Sequence, residues 1–506
     1  MNVSPKAGRR EWIGLGVIAL PCLLYSMDLT VLNLAIPRMS QDLKPTSAQL
    51  LWIVDIYGFV LAGLLITMGT LGDRIGRRRL LMMGAAAFGA ASVLAAFSTS
   101  APMLIAARAI LGIAGATLAP STLSLIRNMF VDARQRSVAI SVWVTSYSVG
   151  GAIGPLVGGA LLSHFWWGSV FLIGVPVMVL LLIVGPTLLP EFRDPNAGRI
   201  DLLSVAMSLA AVLLVIYGVK EFAQGVSSLI PVLSIVAGLV TGALFVHRQR
   251  MLAEPLIDLR LFSVRTFNVA LGAYTLGTFI AFGIFLFESQ YLQLVRGLSP
   301  LSAGLVMMPV FLSFIVGSML SPVIARRVRP ALVMAGGLVL ASVGFLLLAS
   351  MSVTTTLGVM MVGFVFYSLG LAPVFTLTTD LIVGAAPPEH AGVAAALSET
   401  GSELGGALGI AILGSIGTAV YRSAMVHAVP GGIPFDAAEI ARRTLGGAVS
   451  VAERLPNAVG AELDGAARVA FTRAFDVSSA VCAATALLTA LVVVLVLRNG
   501  DRKAGH

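Results

Sequence analysis

Four carboxylates, Asp28, Asp55, Glu399 and Glu403, interrupt runs of apolar residues that are each long enough to cross a bilayer. At 1.5 Å of rise per residue, Asp28 lies about 22 Å into the first run and Asp55 about 10 Å from the nearer end of the second. Glu399 and Glu403 lie about 12 and 18 Å from the start of theirs, and the i, i+4 spacing puts both on one helix face. A lone charge at mid-bilayer costs at least about 2.5–3.5 kcal/mol, so such acids must line a polar cavity or pair. Arg108 is the one cation inside an apolar run, which leaves most of these acids without a basic partner in the sequence. The chemistry open to them is the binding of exchangeable protons or cationic ligands, because burial favours the proton-bound acid and a bound cation favours the carboxylate. Each acid taken singly also fits a hydrogen-bonded structural carboxylate, and Arg108 also fits a brace of the helix packing. Glu288 and Asp380 fall near the ends of their runs, where an interfacial position is expected.

The elements that position these groups are helices. The chain has 506 residues, 58% hydrophobic and 11% charged, against about 25% charged in an ordinary soluble domain, so it is read as an all-α integral membrane protein. Fourteen apolar runs of bilayer length follow one another, from 12–33 to 475–497. An even number puts both termini on one side. The turn Gly69 to Leu80 identifies that side: Arg74, Arg77, Arg78 and Arg79 mark it as cytoplasmic, and Gly72 and Gly76 let two helices turn tightly. Short loops on the other side hold only Arg38, Lys44, Lys220 and Arg296, and the remaining outer cations sit in one long loop, which the positive-inside rule exempts. The expected organisation is a six-helix half over 1–190, an extra pair of spans (202–219 and 229–247) within 191–266, and a second six-helix half over 267–506. A weak echo of the basic turn, Arg326, Arg327 and Arg329, recurs in the second half. Within 421–473, Phe435 to Leu455 and Ala458 to Phe475 predict an external helical hairpin.

Other function classes find little here. The positive charges are scattered between apolar runs rather than gathered on a face, so no nucleic-acid partner is expected. Cys22 and Cys482 both lie in apolar runs, which argues against a disulfide framework or a thiolate metal site. The basic start leads into a run from Trp12 to Pro37, too long for the core of a cleaved signal peptide. Five histidines without metal-ligand spacing, and no Ser, His and Asp constellation, point away from an enzyme.

Gly69, Leu71, Asp73, Arg74, Gly76, Arg77 and Arg78 resemble the loop signature of the major facilitator superfamily. In the fifth span Gly150, Gly154, Pro155, Gly158 and Gly159 allow close helix contact and a bend, and they resemble the antiporter signature of its exporters. Arg108 with Gly112 and Gly115 resembles its arginine motif, to which proton transfer is attributed. Met27 to Pro37, Leu51 to Tyr57 and Pro120 to Arg127 are similar to the fourteen-spanner drug:proton antiporters, in particular those that export quaternary ammonium compounds. The resemblance implies a major facilitator fold of two six-helix halves with a central extra pair. It also implies export of lipophilic organic cations (quaternary ammonium compounds, dyes, biocides) in exchange for protons, with Asp28, Asp55, Glu399, Glu403 and Arg108 carrying protons and cations. Gly69, Asp73, Arg74, Gly76, Arg77 and the glycine run would act in gating, with Asp73 and Arg77 tying helix ends together in one access state. No cofactor beyond the proton gradient is implied. The partners are protons, small organic cations and membrane lipids, and the setting is a multi-pass monomer in the cytoplasmic membrane with both termini inside. Trp52, Tyr57, Trp143, Tyr147, Phe375 and Phe282 could offer aromatic faces to a cation. Two departures stand out: an apolar run, Val310 to Val316, where some relatives carry a tenth-span acid, and Ser398-Glu399 where they carry a double acid. The competing reading is export of one endogenous metabolite, antibiotic or lipid precursor.

Overall fold

The computed structural model describes residues 6–45, 47–193, 201–223, 229–252, 255–387 and 391–500, with no strand among them. The first half holds α1 (Arg9–Leu43), α2 (Ser47–Ile75), α3 (Arg77–Ala96), α4 (Ala101–Met129), α5 (Ala133–His164), α6 (Ser169–Leu172) and α7 (Gly174–Leu188). Next come α8 (Leu202–Ala223) and α9 (Ile230–Met251), and after a 3-10 turn, α10 (Arg265–Gln290), prolonged by a π turn over Tyr291–Val295. The chain ends with α11 (Pro300–Ala325), α12 (Pro330–Leu348), α13 (Leu357–Ala385), α14 (Ala391–Ala428), α15 (Phe435–Arg443), α16 (Leu445–Ala452) and α17 (Asn457–Gly500). Among the described residues fourteen stretches are long and apolar enough to cross a membrane, α6 and α7 counting as one.

Local chemistry sets several boundaries. Ser100, Asp132 and Ser299 accept the amides of Met103, Gln135 and Ser302 and so cap α4, α5 and α11. Between α2 and α3 the whole turn is Gly76 at φ +112°, a conformation closed to side-chain-bearing residues. The Glu191 carboxylate then accepts the amides of Arg78 and Arg79, each at 3.1 Å, and the Phe192 carbonyl accepts that of Arg77 at 2.8 Å. The first-turn donors of α3 are thereby satisfied from the far end of the half.

Among the described residues the two largest apolar cores are built mainly from α1–α7 and from α10–α17, with smaller clusters around Phe267 and around Phe59. The halves meet where α5 packs on α11 and α13, and where α14 packs on α2 and α4. Outside this seam, α8 and α9 pack on each other, with Gly238 against Val215, while α8 covers both α2 and α14. Asp201 holds the pair together at one end, accepting from Arg248 at 2.7 Å and from Ser204. The guanidinium and then the hydroxyl hold that carboxyl well below the usual range. Gln249 links onward to Leu256, whose carbonyl takes the Thr70 hydroxyl of α2 at 3.0 Å.

The region 421–473 departs from the expected hairpin. Its first arm is split at Thr444, whose side chain caps α16 through Gly447 at 3.0 Å, and its second arm is continuous with the last span as α17. No proline lies between Ala458 and the apolar run, and Gly460 and Gly465 are tolerated within the helix. The Tyr421 hydroxyl donates to the Ala441 carbonyl at 2.9 Å and ties α15 to the end of α14.

Candidate functional site

Arg108 on α4 is completely buried. Its Nη1 donates to Asp28 Oδ2 of α1 at 2.6 Å, its Nε donates to the Ile53 carbonyl of α2 at 3.1 Å, and the guanidinium carbon sits 4.8 Å from the Tyr57 ring centre. Arg108 therefore pairs with Asp28, and it locks three helices of the first half around that pair. Asp28 also borders a small cavity shared with Met27, Phe88 and Ser92.

The two glutamates of α14 meet phenols. Tyr25, one turn before Asp28 on α1, donates to Glu403 Oε1 at 2.6 Å, so this bond joins the two halves. Tyr274 of α10 donates to Glu399 Oε1 at 3.5 Å. Rings close around them. Tyr25 lies 6.1 Å from Tyr57 and 5.7 Å from Tyr147, with Trp143 4.9 Å behind Tyr147. On the other side Tyr274 and Phe314 flank Phe375 at 5.5 and 5.6 Å. The sequence itself arranges this: Gly401 and Gly405 follow the acids at an offset of two, so they present the opposite face of α14 to Thr275 and Thr278 of α10.

Not every expected residue joins this group. Asp55 lies about 200° around α2 from Ile53, on the face of Phe59 and Ala62 that packs towards α8; it does not share the Arg108 pair. Trp52 is 47% exposed and its ring partner is Phe59. Phe282 is exposed and packs against Gly406. Trp143 is buried and donates to Thr122 at 3.0 Å, so it supports Tyr147 from behind rather than lining a wall. Glu288, expected near a span end, is fully buried against neighbouring helices, and a π turn to Val295 prolongs the helix beyond it. Asp380 does sit near the end of α13, where it pairs with Arg136 at 2.8 Å and accepts the Ser137 hydroxyl, both from the first half.

At the basic turn, Arg77 is buried, ion-paired with Asp73, and donates to the Gly69 carbonyl at 2.9 Å. A side chain at Gly392 of α14 would collide with that guanidinium, and one at Gly69 would meet the Gly392 carbonyl. The turn thus abuts the second half. Arg74 is half-buried in the last turn of α2. In α5, Gly150 and Gly158 face Leu23, Ser26 and Val31 of α1, Gly154 is buried, and Gly159 faces open space; the expectation for Pro155 concerns a side chain outside the described ones. Sequence reasoning missed Tyr25, Tyr274, Phe314, Gly392 and Arg136. Only Tyr25 carried a signal, its i, i+3 spacing to Asp28.

Among the described residues no group of three or more His, Cys, Asp or Glu could hold a metal ion. Residues 18–410 match the Major Facilitator Superfamily. Over 490 residues the chain is 44% identical to the multidrug efflux pump LfrA of Mycolicibacterium smegmatis, covering 97% of each. It is 36% identical over 504 residues to the methyl viologen resistance protein SmvA of Salmonella typhimurium, covering 98% of this chain and all of that one. The solved structure of the human organic anion transporter MFSD10 superposes with a TM-score of 0.59 at 16% identity, over 96% of this chain and 99% of that one, and shares the fold.

Proposed function

The chain belongs to the major facilitator superfamily, and from that premise we propose that it is a proton-coupled exporter of lipophilic organic cations across the cytoplasmic membrane, with both termini inside. It is a multi-pass membrane transporter and not an enzyme. The observation that carries the finer reading is the pairing of Glu399 and Glu403 with phenols inside a shell of aromatic rings contributed by both halves. Such a place suits a flat or quaternary cation: carboxylates supply charge, and ring faces supply cation-π and apolar contact that water cannot match. The printed names of the two relatives, one a multidrug pump and one a resistance protein for the dication methyl viologen, support the same substrate class.

Coupling follows from competition. A carboxylate that holds a cation releases it on gaining a proton, and the Tyr25 bond to Glu403 reaches across the halves, so the exchange bears on helices that move relative to one another. Asp28 has a different part. With Arg108 as its counter-ion it is closed to a cationic cargo; its proposed part is to trade that arginine for a proton, which would free Arg108 from α1 while leaving its carbonyl bonds to α2. No cofactor enters this cycle.

The test is reconstitution into liposomes with an imposed pH gradient, comparing ethidium with a neutral and an anionic dye. Gradient-driven movement of the cation alone is expected. Movement of no dye, with binding of one particular metabolite, would sink this reading in favour of dedicated metabolite export.

A further inference from the structure

Glu288 stands apart from the site just described. On α10 it lies about 21 Å of helix beyond Tyr274, the residue that reaches Glu399. It is wholly buried; no donor among the described residues comes within ordinary hydrogen-bond distance of either carboxyl oxygen, and the Tyr367 hydroxyl of α13 is the donor that faces it. Tyr367 on α13 and Cys482 on α17 are the titratable groups within electrostatic reach of it. Asp476 of α17 and Arg296 beyond the π turn face Tyr291 instead, and α14 presents Gly417 against the neighbouring Phe287. Neither Tyr367 nor Cys482 is a cation, so the charged form of Glu288 has no ion-pair partner in either of them. Burial alone would make this a structural curiosity. Two further features point to a ligand as small as a proton. Ser478 and Ser479, one turn before Cys482 on α17, are also buried with unpartnered hydroxyls, so polar groups continue along the helix contact without satisfying each other. Directly after Glu288 the helix loosens into the π turn Tyr291–Val295, an irregularity that commonly accompanies functional sites.

We propose that Glu288 is a second proton-binding carboxyl of the transport cycle, held in the packing of the second half and separate from the acids that meet the cation. It lies towards the end of the bundle opposite the basic turn, the side from which an antiporter takes its proton. Its chemistry excludes an organic ligand, since the packing leaves it no exposed surface. The inference rests on the antiport reading above for its role in coupling, though not for its protonation.

The test uses the full chain in lipid. Infrared difference spectra on stepping from acid to alkaline pH should contain a protonated-carboxyl band that is lost in Glu288→Gln and kept in Glu399→Gln. In liposomes, Glu288→Gln should bind ethidium as the wild type does and exchange it without a gradient, while gradient-driven transport falls about tenfold or more. Glutamine copies the neutral acid in shape, so the variant should fold; Glu288→Asp, which restores a carboxyl, should recover part of the driven transport. Wild-type driven transport in Glu288→Gln, or spectra identical to the wild type, would overturn the proposal. If the wild type itself moved no cation, the antiport reading would fail, while the carboxyl band would still decide whether Glu288 takes a proton.

Discussion

The bond from Tyr25 to Glu403 is the smallest unit on which the proposed exchange depends. A hydroxyl donating to a carboxylate is worth about 1.5–3 kcal/mol, and it favours the charged form over the protonated one. Tyr25→Phe removes that donor and keeps the ring. Protons should then displace a bound cation more readily, so the pH at which ethidium binding is half lost should rise by about one unit. Fluorescence titration of the purified protein at a series of pH values measures this; an unchanged midpoint would make the bond incidental. The acids themselves were legible in the sequence, because a carboxylate inside an apolar run has few reasons to be there. Their partners were not. Tyr274, and Tyr25 apart from its spacing to Asp28, look like ordinary aromatic residues of a span until the packing brings α1 and α10 against α14, and the face on which Asp55 lies depends on where α8 docks.

At the level of the helix, the glycine run of α5 gives a sharp contrast within one element. Gly150 lies against Ser26 and the Leu23 carbonyl of α1, whereas Gly159 meets nothing within 4 Å. Gly150→Leu should cost about 1–3 kcal/mol through overpacking and lower the melting temperature in detergent, while Gly159→Leu should leave it where it was. Equal effects of the two would show that the run acts through helix propensity and not through contact with α1. Span number and the basic turn were readable from hydropathy and from Gly76, since bilayer thickness and left-handed backbone leave few choices. The ends of α14 and α17 were not, because a helix that continues into water keeps its periodicity without any apolar run to mark it. The π turn that extends the helix of Glu288 likewise has no signature in the residues Tyr291 to Val295.

For the whole molecule, the two halves are fastened at the end that carries the basic turn. Arg136 and Asp380, with about 15% of each side chain exposed, form an ion pair across the seam, and Arg77 lies over Gly392. Breaking a pair that retains some solvent costs less than a fully buried one, roughly 1–2 kcal/mol, or about a tenfold shift between access states. Asp380→Asn should therefore increase labelling of a cysteine introduced beside the seam and slow driven transport, and exchanging the charges (Arg136→Asp with Asp380→Arg) should restore both. Failure of the exchange to restore either would assign the loss to something other than the pair. One further consequence belongs to α14. Its 38 residues form a rod about 57 Å long, which touches the basic turn through Gly392, carries Glu399 and Glu403 in its first third, and ends at the small helices held by Tyr421. A tilt of about 5° around its middle displaces each tip by roughly 2.5 Å, enough to part Gly392 from Arg77 while shifting the glutamates by about half as much. Pivoted there, the helix would act as a lever whose fulcrum lies nearer the proposed cargo site than the proposed gate, so a sub-ångström to ångström change of fit at the carboxylates would be magnified at the basic turn.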